Sequence, residues 1–201
     1  MIARLMVPLA AVVAVIGLPA PSRAADPEKP QYFELRIYHT TSADQLRRVN
    51  DYWQNAAVPA YNRQGIQPIG VFTEMTESPT NGVYVLIACD SLEIFGAIPA
   101  KLAADTAYQQ AAAGFLDATK ANPAYDRVES SLLVAFVGMK HLVVPPPEKK
   151  PNVFELRTYL SPGEGKGLNK IRMFESGEIT LMPMALTEFD PPPLKKDDPP
   201  P

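Results

Sequence analysis

The chain has 201 residues, 46% hydrophobic and 20% charged, with a formal net charge of −3. Its Lys and Arg residues are scattered rather than gathered into a stripe, which argues against nucleic-acid partners. One cysteine and two histidines leave no His/Cys ligand cluster with metal spacing and no internal disulfide, and no GxSxG, P-loop, GxGxxG or HExxH spacing occurs.

Residues 1–24 combine a basic start at Arg4, an apolar stretch from Leu5 to Leu18, Gly17 and Pro19, and small residues at Ser22 and Ala24. This is the pattern of a secretory signal peptide cleaved after Ala24, and it implies export to a periplasmic or extracellular space. An uncleaved anchor is the alternative, but the apolar run is shorter than the roughly 20 residues that a spanning helix needs. No stable membrane span is expected after cleavage.

Gln31 to Tyr38 alternates with the period of a strand, with Phe33, Leu35 and Ile37 on one face and Glu34, Arg36 and Tyr38 on the other. Ser42 can cap a helix with apolar residues at Leu46, Val49, Trp53, Ala56 and Ala60; Pro59 should kink or end it, and Gly65 can close it. Ile66–Met75 and Gly82–Cys89 read as an antiparallel hairpin around ESPTNG. Asp90 with Glu93 resembles a capping box that opens a second helical region reaching about Lys120, broken near Pro99. Arg127 to Phe136 gives a fourth strand, extended by Met139 to Val144. Cys89 is expected to be a buried, inert strand residue, and Trp53 a core residue.

The order β-α-β-β-α-β over residues 31–144 is that of a ferredoxin-like α+β domain, an antiparallel sheet with both helices on one face. Packing Phe33, Leu35 and Ile37 under those helices would leave Glu34, Arg36 and Tyr38 on the open side. A stiff linker, residues 145–152, follows. Then FELRIY at 33–38 returns as FELRTY at 154–159, offset by 121 residues, the span of a domain. Lys166 to Ile179 has the matching helix, after which the composition turns Pro-rich and charged; residues 181–201 read as a disordered tail. The second unit, 153–180, is therefore an incomplete copy of one strand and one helix. It is too small to fold alone and must dock on the first domain or stay disordered.

The pair YFELRIYHTT and VFELRTYLSP, with KIRMFESGEI after the second, resembles the tandem units of the NIPSNAP family. That resemblance implies domains of the dimeric α/β-barrel group. It also implies that a complete second unit would continue through an apolar, Gly-containing hairpin, so this chain carries a truncated one. Association through the open sheet face, giving a homodimer, is the expected partner relation.

Glu34, Arg36, Tyr38 and His39, with Glu155, Arg157 and Tyr159, are the candidate lining of that face. They suit either a charge-paired network that fixes how two sheets dock or a pocket in which Arg holds an anionic group and Tyr or His moves a proton. Plain solvent exposure is the third possibility. His39 alone is a weak haem or metal ligand; a strand-end His ordinarily serves as a hydrogen-bonding residue. Gly163, Gly165 and Gly167 read as a turn ahead of the last helix rather than a phosphate loop. No cofactor, metal site or catalytic residue is assigned. Two functions follow: a non-catalytic exported interaction module or, alternatively, a small-molecule barrel enzyme of monooxygenase or isomerase kind, with haem a conceivable substrate.

Overall fold

The computed structural model describes residues 29–75, 82–144 and 153–179. The expected signal segment, the ESPTN part of the expected turn, the linker and the Pro-rich tail lie outside them. Strand β1 (Tyr32–His39) leads into α1 (Ala43–Tyr52), whose first turn is closed by Ser42 Oγ accepting from Gln45 N at 3.2 Å. The helix then widens into a five-residue π turn, Trp53–Ala57, and resumes as α2 (Val58–Arg63). Pro59 thus begins a fresh helical segment, where its missing N–H costs little, instead of ending the helix. Gly65, at φ 77°, turns the chain back toward the sheet.

Strands β2 (Ile69–Thr73) and β3 (Val83–Cys89) pair antiparallel, as the hairpin reading required. Helix α3 (Leu92–Ala104) begins one residue later than the sequence suggested: Ser91, not Asp90, is the cap, its Oγ accepting from Ile94 N at 3.2 Å. Pro99 lies inside α3. The break comes at Asp105, which ends α3 and caps α4 (Thr106–Leu116) by accepting from Tyr108 N at 2.9 Å. A side chain that can satisfy the new helix's N–H groups sets the boundary better than a proline that merely removes one.

Strand β4 (Arg127–Val134) completes a four-stranded sheet ordered β2-β3-β1-β4, antiparallel at every pairing. This is the ferredoxin-like arrangement. Met139–Val144 does not extend β4. It is tied instead to the start of β1 through Gln31, whose N donates to Lys140 O and whose Oε1 accepts from Leu142 N, each at 2.8 Å. After the linker, Val153–Leu160 joins no ladder, and α5 (Glu164–Met173) is followed by a second five-residue π turn, Phe174–Glu178.

The core lies between sheet and helices. Val83, Val85 and Ile87 of β3 meet Val49, Trp53, Ala57, Ala60 and Tyr61 of the first helical stretch, all at most 1% exposed. Rings dominate it: Tyr52 stacks on Phe115 at 3.9 Å, and Tyr38 meets Tyr125 edge-on at 5.3 Å. Trp53 is fully buried and Cys89 is 3% exposed, as expected for both. Burial pushes the Cys89 thiol up to about 11.

Candidate functional site

Residues directly opposite each other in an antiparallel ladder share a face. Glu34 is opposite Ile87, Arg36 opposite Val85 and Tyr38 opposite Val83, and those three β3 residues face the helices. The expected facing of β1 is therefore inverted. Glu34, Arg36 and Tyr38 point beneath the helix layer, whereas Phe33, Leu35 and Ile37 join Tyr84, Leu86, Gly70 and Phe72 on the outer side. The physical reason lies in the helix layer, whose aromatic rings accept a polar strand face when each charge on it is paired.

That pairing is complete at Glu34, which is 4% exposed. Its Oε1 accepts from Arg36 Nε at 2.6 Å and from Ser130 Oγ at 2.7 Å, and its Oε2 accepts from Arg36 Nη2 at 2.9 Å. The Arg36 guanidinium lies 5.8 Å from the centre of the Trp53 ring. Burial alone would lower its pKa. The hydrogen bond to Glu34 and the surrounding Tyr and Glu groups outweigh that and hold it above the usual range, so Arg36 stays charged. Burial also raises Tyr38, against the opposing charge of Arg36, and pushes Tyr61 up to about 12. Two polar atoms at this level, Trp53 Nε1 and Tyr61 Oη, are buried without a hydrogen-bond partner.

His39 is not with this cluster. It sits at the rim of the sheet, where its Nε2 lies 3.0 Å from Glu129 Oε1 and 3.3 Å from Arg127 Nη2. Among the described residues, no group of three His, Cys, Asp or Glu side chains stands together as a metal site.

The second copy has the same internal pairing in a different setting. Arg157 Nη2 donates to Glu155 Oε2 at 2.8 Å, but both side chains are more than half exposed. The hydrogen bond lowers the Glu155 carboxyl and raises Arg157. Tyr159 meets Phe174 edge-on at 5.2 Å, as Tyr38 meets Trp53 at 6.3 Å. The correspondence extends past the shared letters: α1 and α5 are both ten residues long, each runs into a five-residue π turn, and every boundary is displaced by the same 121 residues. The matching helix was expected from Lys166 and begins two residues earlier; the π turn was not expected, and both copies open it with a ring, Trp53 and Phe174.

The two copies do not come together to line one space. Phe154 leans on Phe72 at the β2 edge of the outer face, with ring centres 5.0 Å apart, and Phe174 rests against Phe136 after β4 at 5.9 Å. The glycines read as a turn mostly lie inside a helix: Gly163 caps α5, while Gly165 and Gly167 fall within it. Glu164 in its first turn opposes an anion there.

No protein-family model matches the chain, and no curated protein does. Among solved structures, it is similar to an uncharacterized NIPSNAP domain protein from Burkholderia xenovorans, at 20% identity and a TM-score of 0.40, over 52% of this chain and 93% of that one.

Proposed function

We propose that the chain is an exported, NIPSNAP-like interaction module without catalytic activity, which pairs with a second copy of itself through the outer face of its sheet. One observation carries this reading: β1 places its Glu, Arg and Tyr beneath the helices and its Phe33, Leu35 and Ile37 outside, beside Leu86 and Tyr84. A sheet with one solvated face has the opposite alternation. Apolar residues on both faces of β3 fit a sheet covered on both sides, and an isologous contact needs only this one surface. The non-catalytic part is supported by Glu34, which is 4% exposed and held by Arg36 and Ser130 beneath the helices, away from solvent.

Light scattering on residues 25–201 tests the pairing. The protein should have at least twice the chain mass, and Leu86→Glu, which removes the outer-face contact, should halve it. A monomeric parent removes the proposal. Recovery of a secreted chain beginning at Ala25 tests the export.

The enzyme reading keeps one observation in its favour. The unpartnered Trp53 Nε1 and Tyr61 Oη beside Arg36 are donors suited to a carbonyl or phenolic oxygen of a small aromatic compound. Calorimetry with benzaldehyde and phenol separates the two readings: heat lost in Tyr61→Phe would favour a ligand site, and no heat in the parent would favour the module.

A further inference from the structure

We infer that the free edge of β4 takes up the second FELRxY strand, Val153–Leu160, from another copy of the chain. This contact is distinct from the outer sheet face and does not rest on it. Three observations converge. First, among the described residues β4 is an edge strand, exposed at every position. Its Arg127 and Glu129 guard one end, but Leu132, Leu133 and Val134 at the other are 51%, 43% and 58% exposed, with no Pro or Lys in the strand to deter pairing.

Second, Val153–Leu160 is a strand sequence without a ladder. It repeats the five identities of β1, and β1 is the strand that pairs along the whole of β4, from Tyr32 opposite Val134 to His39 opposite Arg127. Its Phe154, Leu156 and Leu160 are 48%, 57% and 92% exposed, and the contact of Phe154 with Phe72 of its own chain is given up in the exchange.

Third, the segment arrives with its own cover. The residues of β4 on the helix side, opposite Glu34 and Tyr32, are Leu132 and Val134, and the helix layer leaves both open to solvent. In the second unit the Tyr159 face is already roofed by Phe174, as Tyr38 is by Trp53. Adding that strand to β4 antiparallel, with Glu155, Arg157 and Tyr159 on the helix side, brings α5 over Leu132 and Val134. The exchange is backbone pairing with a strand from a sister chain, the mode by which exposed sheet edges recruit peptides.

Amide hydrogen exchange on the full chain over a dilution series tests this. Val153–Leu160 and Leu132–Val134 should slow together, by about tenfold or more, as concentration rises. Leu156→Pro removes a ladder donor at a position that is exposed and unpaired within the chain, so it should abolish that protection at both segments. Leu86→Glu, which disables the outer face, should retain it. No protection at 153–160 at any concentration overturns the inference. Protection that dilution does not alter also overturns it, because the strand would then pair within its own chain. Loss of protection in Leu86→Glu would show that the edge is not an independent contact.

Discussion

The word FELRxY occupies two environments in one molecule. In β1 it lies between two ladders and beneath a helix layer, with its Glu buried and its Arg against an indole ring. At 154–159 the same residues form the same Glu to Arg hydrogen bond, with an aromatic ring on the same Tyr, yet remain in solvent. Local sequence therefore sets the contact between i and i+2 and the strand-to-helix geometry after it. Burial and its energetic weight come from the strands on either side. A charge pair can be nearly inert in one copy and structurally necessary in the other.

Substitution at positions 121 apart sharpens that contrast. Trp53→Ala should lower stability by about 3–5 kcal/mol, as expected for emptying a fully buried aromatic site, whereas Phe174→Ala should leave the main unfolding transition in place; chemical denaturation monitored by circular dichroism compares them. Glu34→Ala strands Arg36 and should cost about 3 kcal/mol, the lower end for breaking a buried pair, since Arg36 keeps a quarter of its side chain in water. Glu155→Ala should have no measurable effect in the same assay; an equal loss in both would break the comparison. Above pH 9, stability should fall, with the part due to Cys89 lost by about pH 11 and the part due to Tyr61 lost from about pH 10 to about 12. Folding raises the Cys89 thiol over its ordinary 9.0, so the native state holds the proton longer and the advantage is lost as pH rises through that window. Cys89→Ala should flatten that part of the slope. Smallest are the caps: Ser42→Ala should cost about 1 kcal/mol, and Gly163→Ser, which gives α5 the side-chain cap it lacks, should gain a few tenths.

Much of this fold was legible. The period of β1, the Ser42 cap, the turn at Gly65 and the paired runs around ESPTNG correspond to elements of the βαββαβ order. The facing of β1 was not legible, because an alternating strand states two faces without saying which one the helices cover. The clue lay in β3: Val83 to Cys89 is apolar on both sides, so neither face of the sheet was meant for water alone, and rings at Tyr38, Trp53 and Tyr61 could enclose a paired Glu and Arg. Met139–Val144 misled for a related reason, since apolar β-branched letters fit a strand equally well when their backbone is held by Gln31 and a turn to Phe136 rather than by a ladder. Of the seven candidate residues, the structure clusters Glu34, Arg36 and Tyr38, leaves His39 at the rim, and holds the other three as a separate exposed copy.

The chain has one tryptophan, and it stands where α1 opens into its π turn, wholly out of solvent and at the junction of helix layer, sheet and charge pair. Its counterpart in the second copy is a phenylalanine. The intrinsic indole emission of the protein therefore belongs to the first unit alone, blue-shifted while that unit is closed and red-shifted when water reaches it. Folding of 31–144 can be followed optically without any label, and whatever the second unit does will pass unseen unless it disturbs that one ring.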